Sequence, residues 1–343
     1  MVAKIAVFIL ASLVASIALL ELGLRLLFGF GNPPIYLADR EIGYLLAPNQ
    51  RSRRFGNLIQ INEYSMRSPS VAPLPPSGTL RILLLGDSIA NGGWWTPQDQ
   101  TISAAIAKQL RALAPPLPHP PPSLPLPPPL PHPPPSLLAP ENIAPDSSYK
   151  NVEVLNASAN SWGPRNELAY ARRKGTFGAA LVVLLINTDD LFAKAPSSLQ
   201  VGSDRNYPAV KPPLALVELF QRYILPAPAV PAPPKETGDI VGRNLEAISD
   251  LQNLVAQTNS QLLLAMTPLQ RETGEPGPRD YERKARERLL DLTQKQKIYY
   301  LDFLPQFNSL EEPATLYRDH IHLSPSGNEL VSETISKAIQ QLL

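Results

Sequence analysis

Five short apolar runs with almost no alternation constrain this chain most: ILLL at 82–85, VEVL at 152–155, ALVVLLI at 180–186, LLLAM at 262–266 and the shorter IYYLDF at 298–303. A strand with one wet face alternates apolar and polar residues, so unalternated runs suit strands covered on both faces. Helical patterns lie between them. From Arg243 to Thr258, Leu245, Ile248, Leu251, Leu254 and Val255 recur at helical spacing, leaving Glu246, Asp250 and Gln257 on the other side. Near the C-terminus Ser324 and Pro325 make an N-cap and first-turn pair, followed by a stripe of Leu330, Val331, Ile335, Ala338, Ile339 and Leu342. Strands alternating with helices predict an α/β layered domain with a mostly parallel sheet. With 343 residues and 44% hydrophobic content, the chain can bury a sizeable core.

The N-terminus, MVAKIAVFILASLVASIALLELGLRLLFGFG, is uncharged from Ile5 to Leu20. Sixteen helical residues cover about 24 Å, and the apolar text up to Phe30 completes the roughly 30 Å of a bilayer's hydrocarbon layer. Residues 1–30 therefore read as a transmembrane signal anchor, and a cleaved signal peptide is the runner-up, lacking a clear small-x-small site before a polar start. Lys4 before the run and Arg25, Arg40, Arg51, Arg53 and Arg54 after it leave the orientation weakly marked. Residues 31–78 show no sustained period and read as an irregular juxtamembrane segment.

Two stretches interrupt the pattern of the domain expected over 79–343. An insertion at 115–145 contains PPLPHPPPSL twice, and proline on that scale excludes helix and inner strand. A second insertion, about 193–238, holds nine prolines around LALVELFQRYIL and reads as a lid, a membrane-facing flap or surface decoration.

Several function classes drop out. Lys plus Arg number 31 against 30 Asp plus Glu, so no broad basic field points to nucleic acid. Cysteine is absent, which removes disulfides, thiolate metal sites and a cysteine nucleophile. No H-E-x-x-H spacing points to a metal, no G-x-G-x-x-G follows the first strand and no G-x-x-x-x-G-K follows any strand, so no metal or cofactor is expected.

What remains is a serine. LLLGDSIANGG, 83–93, sets Ser88 between a buried strand and a helix expected near Thr96 and Pro97, at the strand's carboxyl end, where open α/β sheets bind ligands. Gly86 and Gly92 allow a tight turn that lifts the hydroxyl clear. Serine needs a base within hydrogen-bond reach. Of four histidines, His119 and His132 are equivalent positions of the proline repeat, which leaves His320 and His322 in YRDHIHLSPSG. Asp319 lies three residues before His322, so a single turn brings its carboxylate to the imidazole.

GDSIANG early and DHIH late resemble the first and last blocks of the SGNH, or GDSL-type, hydrolases, over about residues 79–343. The resemblance implies a three-layer flavodoxin-like fold, Ser88 as the nucleophile that attacks an ester carbonyl, His322 as base and Asp319 as its orienting carboxylate, with His320 on the variable position. INEYSMRS, 61–68, is similar to a sequence ahead of the domain in membrane-anchored relatives. Two middle blocks depart from the pattern. Ser161 stands where a glycine supplies an oxyanion N–H, and LLINTDD puts Asn187 at the third block's glycine and Asp189 at its oxyanion-binding asparagine. An ionised Asp189 accepts instead of donating. Three arrangements restore a donor: Asn187 from a shifted loop, a protonated Asp189, or the N–H groups of Ser88 and Ser161 joined by a side chain such as Asn160 or Asn166. Trp94, Trp95 and Trp162 flank the blocks and offer a sugar-stacking wall or core packing.

The expected function is a serine esterase or deacylase on small acyl esters, O-acetyl groups of an envelope glycan or lipid, anchored to the membrane with its domain outside the cytoplasm. An O-acyltransferase of an envelope glycan is the alternative within the fold, and a catalytically degenerate glycan-binding module is the alternative from another class.

Overall fold

The computed structural model describes residues 1–113, 149–233 and 235–343, so the whole 115–145 insertion, including His119 and His132, lies outside the described residues. Helix α1, Val2–Gly23, runs on through a wider turn at Leu24–Phe28, and together these 27 residues are long and apolar enough to cross a membrane. None of the residues of α1 is buried against the rest of the chain.

Residues 31–78 differ from the irregular segment expected. They form two antiparallel hairpins, β1 (Tyr36–Asp39) with β2 (Gly43–Leu46) and β3 (Gln50–Arg54) with β4 (Asn57–Ile61). The reason is visible in β3, whose inward positions are Gln50, Ser52 and Arg54: the strand alternates in burial but not in hydrophobicity. The hairpins join the main core through Ile42, Tyr44, Ile59 and Ile61.

The remaining elements follow in chain order: β5 (Thr79–Gly86), α2 (Ser88–Asn91), α3 (Ile102–Leu113), β6 (Asn151–Ser158), α4 (Pro164–Lys174), β7 (Leu181–Asn187), α5 (Ala215–Leu219), α6 (Ile240–Ala256), β8 (Gln261–Thr267), α7 (Asp280–Gln296), β9 (Tyr299–Asp302), α8 (Phe303–Asn308) and α9 (Pro325–Leu342). The five apolar runs are the strands of one sheet, ordered β6-β5-β7-β8-β9 and parallel throughout. Numbered within the sheet that order is 2-1-3-4-5, the flavodoxin-like doubly wound arrangement. Two apolar layers follow from the period of two along each strand. Leu83 and Leu85 face a core shared with α4, α6 and α7, whereas Ile82 and Leu84 face one shared with α3, α8 and α9. The molecule is therefore the three-layer α/β fold expected.

The chain leaves β5 first toward β6 on one side and later toward β7 on the other, so the carboxyl end of β5 is the point where strand order reverses. Ser88 stands there. The helix expected near Thr96 begins earlier: a short helical turn starts at Ser88 itself, with α3 following from Ile102. At α9 the expected cap is present, Ser324 Oγ accepting from Gly327 N at 3.2 Å.

Candidate active site

Asp87 caps α2, its Oδ1 accepting from Ile89 N at 2.8 Å, and this presents Ser88 at the first position of the helical turn. Ser88 Oγ lies 3.0 Å from Nε2 of His322. His322 Nδ1 in turn lies 2.9 Å and 3.0 Å from the two carboxylate oxygens of Asp319. The three residues singled out at opposite ends of the sequence thus form one hydrogen-bonded line. With the proton on Nδ1 held by Asp319, Nε2 is free to accept the serine proton.

The loop that carries the base is built to hold it. Asp319 Oδ1 also accepts from the backbone N–H of His322 at 2.9 Å and of Ile321 at 3.1 Å, so one carboxylate closes the turn and orients the ring. Burial pushes the Asp319 pKa up, but these N–H groups and the imidazole outweigh it and hold the carboxyl below its ordinary value. A bridge between Tyr317 and Leu323 closes the base of the loop, and Tyr317 Oη donates to Pro268 O at 2.8 Å. His320 makes no link to Ser88 and stands at the rim of the cavity, its side chain 83% exposed.

A cavity of about 610 Å³ opens above Ser88 and His322. Trp95 packs edge-on against the His322 ring at 4.6 Å, and Arg318 lies over Trp94 and Trp95 at 5.5 and 5.2 Å. Trp94 is 40% exposed and lines the opening. Trp162 also borders the cavity, but most of it is held in the core. It is 1% exposed, with Nε1 donating to Tyr44 O at 3.0 Å, and its ring packs on Tyr170 in the core.

The oxyanion candidates separate on their hydrogen bonds. Asn187 is committed: its amide donates to Asp87 Oδ2 and Asp190 Oδ2, both at 2.9 Å, so it is not the donor that a shifted loop would supply. Asn166 is also committed, to Ile42 O and Gly163 N. Ser161 adopts φ +58°, the left-handed conformation natural to glycine, which costs a serine on the order of 1 kcal/mol or more. Its Oγ accepts from Tyr207 Oη at 2.8 Å, and among the described residues its N–H has no acceptor. The neighbouring Asn160 lines the cavity and has a buried Oδ1 without a hydrogen-bond partner among the described residues. Asp189 lines the cavity as well, partly buried, and that burial raises its pKa.

Beneath Ser88 lies a feature absent from the sequence reading. Asp87, Asp190 and Glu167 are buried carboxyls, all with pKa values raised by burial, and Asn187 bridges the first two. Glu167 has no partner for either oxygen among the described residues, and Asp87 beside it pushes its pKa further up. Glu167 appears in sequence only as one polar residue on α4, and no local pattern marks it. In the folded chain it keeps its proton at a pH where the unfolded chain has lost it. Its contribution to stability is therefore whole below the ordinary glutamate range and declines as pH rises, by up to about 1.4 kcal/mol per pH unit. Glu167→Gln is expected to flatten the fall of the urea midpoint from mildly acidic to alkaline pH. Parallel curves for both proteins would mean that Glu167 titrates alike in both states.

Arg67, from the INEYSMRS segment, is the other residue whose role was not foreseen. It is buried, and its guanidinium donates to the carbonyls of Asn91 and Gly93, both at 2.5 Å, and Thr96 at 2.6 Å. It thereby moulds the loop that carries Trp94 and Trp95. Burial lowers its pKa to about 10, so it stays charged at neutral pH.

No protein-family model and no curated protein sequence matches the chain. Among solved structures it is similar to an acetyl xylan esterase, with 10% identity and a TM-score of 0.46 over 76% of this chain and 100% of that one. It is also similar to a GDSL-like lipase from Bacteroides thetaiotaomicron, with 11% identity and a TM-score of 0.43 over 80% of this chain and 93% of that one. A lipase/acylhydrolase from Enterococcus faecalis aligns over 77% of this chain and 97% of its own, with 10% identity and a TM-score of 0.40.

Proposed function

We propose that the chain is an SGNH-type serine esterase, held to a membrane by its N-terminal helix, that cleaves acyl esters through an acyl-Ser88 intermediate. The observation that carries this reading is the line from Ser88 Oγ through His322 to Asp319, with 3.0 Å and 2.9 Å links, at the mouth of a cavity. Ser88 Oγ attacks the ester carbonyl carbon while its proton passes to His322 Nε2. The tetrahedral intermediate collapses, the departing alkoxide takes that proton, and the acyl group stays on Ser88. Water then repeats the sequence, its proton going to His322, and the acid leaves as Ser88 recovers its hydrogen.

Asp87 Oδ2, at 3.3 Å, competes for the Ser88 hydroxyl hydrogen, but the imidazole is closer. The oxyanion is received by the Ser161 N–H together with Nδ2 of Asn160, donors at the cavity that have no other acceptor among the described residues. Small acyl groups on a glycan or lipid alcohol are the substrates proposed, and Trp94 is the surface on which a sugar ring stacks.

The test is labelling of the full chain with a fluorophosphonate. An adduct on Ser88 that is lost in Ser88→Ala and His322→Ala supports the reading. A folded chain that takes no label would leave the cavity as a binding site only. Asp189 supplies a second check. Its carboxylate faces the cavity where negative charge develops, so Asp189→Asn is expected to raise turnover about 10- to 100-fold near pH 7. The gain should widen as pH rises through the Asp189 ionisation, because only the native residue becomes an anion. Equal pH profiles for the two proteins would place Asp189 outside the reacting centre.

A further inference from the structure

The segment around α5 joins the membrane helix to the catalytic cavity. Glu21, on the last turn of α1, accepts from the N–H groups of Ala215 and Leu216 at 2.8 and 2.9 Å, and Arg25 donates to Pro213 O at 3.0 Å. Glu218 of the same segment is buried, accepting from Gly31 N at 2.6 Å and pairing with Arg54 at 2.9 Å and Arg222 at 2.7 Å. Leu24 and Phe30 pack on Ala215. These contacts tie α5 to the end of the apolar helix from both sides.

The level of that attachment decides where the segment sits. The apolar stretch continues past Glu21 to Leu26, Leu27 and Phe28, all exposed, so a segment bound at Glu21 is level with the last apolar turns of the span. The outward residues of the segment are themselves apolar: Phe220 is 52% exposed, Tyr223 60%, Ile224 64% and Leu225 52%. A run of large apolar side chains next to the end of a membrane-length helix is what a bilayer interface covers. The same segment also lines the cavity of Ser88 and His322 through Arg222 and through Tyr223, which borders both the patch and the cavity.

We infer that residues 214–225 lie in the bilayer interface beside α1 and form the lip of the active site, so that the cavity opens onto the membrane and takes acyl esters from lipid-borne alcohols. This rests on the serine esterase and membrane-helix readings above. The continuity of the patch with the apolar helix selects the bilayer as its occupant. A protein partner on the same face would leave the exposed end of α1 and the patch serving two different environments at one level.

The absence of cysteine from the sequence allows a direct test. Ile224→Cys in the full chain, carrying an environment-sensitive fluorophore and reconstituted into phosphatidylcholine–phosphatidylglycerol vesicles, reports depth without requiring activity. The comparison site is Gln340→Cys, exposed near the far end of α9, next to Gln341, whose Oε1 accepts from Tyr299 Oη at the start of β9. The expected result is blue-shifted emission at 224, quenched by lipid-bound and not by aqueous quenchers, with the opposite at 340. Aqueous behaviour at both sites would overturn the proposal. The second arm compares Phe220→Ser with Ile224→Ser on a water-soluble ester and on an acylated glycolipid in the vesicles. Turnover of the soluble ester should hold while that of the vesicle-borne ester falls about tenfold or more. An equal effect on both substrates would overturn the lipid-delivery part. A probe at 224 that sits in lipid while Ser88 takes no fluorophosphonate would fail the esterase reading and the substrate claim, leaving the membrane seat standing.

Discussion

Ser88→Ala and His322→Ala are each expected to lower ester turnover by about 10⁴- to 10⁶-fold, and the double variant to be no worse than either single one. The two side chains share one proton across a 3.0 Å link, so removing either removes the same step. Asp319→Asn should cost less, about 10³- to 10⁴-fold, because the serine and its base persist and only the ring's orientation and tautomer are lost. Steady-state rates on a soluble ester check the series. Additive losses in the double variant, or a Ser88→Ala protein that still turns over, would mean that the line of hydrogen bonds is not the reacting one.

Arg67→Ala is expected to destabilise the fold by about 3 to 5 kcal/mol. The guanidinium satisfies three buried carbonyls, and no water-accessible substitute replaces it at a residue that is 1% exposed. Arg67→Lys should recover only part of the loss, because an ammonium cannot reproduce the planar fork that reaches Asn91, Gly93 and Thr96 at once. Urea unfolding of the three proteins measures this. A loss below about 1 kcal/mol in the alanine variant would show that the loop holds its shape without the charge. The same loop sets Trp95 against the His322 ring at 4.6 Å, so turnover of the lysine variant should fall further than its stability does.

What was legible in the sequence follows from which patterns survive without tertiary context. The central strands β5, β7 and β8 were legible because both of their faces are dry, which forces apolar runs, and the edge strands β6 and β9, only partly buried, carry the less uniform runs VEVL and IYYLDF. Ser88, Asp319 and His322 were legible because so few histidines compete for the role and the aspartate lies within one turn of its partner. The hairpin β3–β4 was hidden because its inward face carries Gln50, Ser52 and Arg54 instead of a hydrophobic layer, with Gln50 and Arg54 held by hydrogen bonds to Ile35 O and Gly29 O. Trp162 and Asn166 gave the opposite error. Their position between catalytic blocks suggested the cavity, but both turn inward to hold β2 and the loop before it. Glu167 was invisible for a related reason: a carboxyl on an amphipathic helix reads as a wet face, and only the packing of α4 against α6 and the sheet makes it dry.

The way Glu21 and Glu218 are used changes what the N-terminal helix is for. A chain shortened to begin after Gly31 would strip the acceptor from the N–H groups of Ala215 and Leu216 and the Gly31 donor from Glu218. Phe30 would go with them, uncovering the face of Arg54 on which its ring sits at 4.7 Å. The wall that presents Arg222 and Tyr223 to the cavity would then rest on the Arg54–Glu218 pair and on Arg205, which donates to Arg222 O at 2.6 Å. The N-terminal helix is in this sense part of the support of the cavity wall, and a chain without it is expected to show altered selectivity.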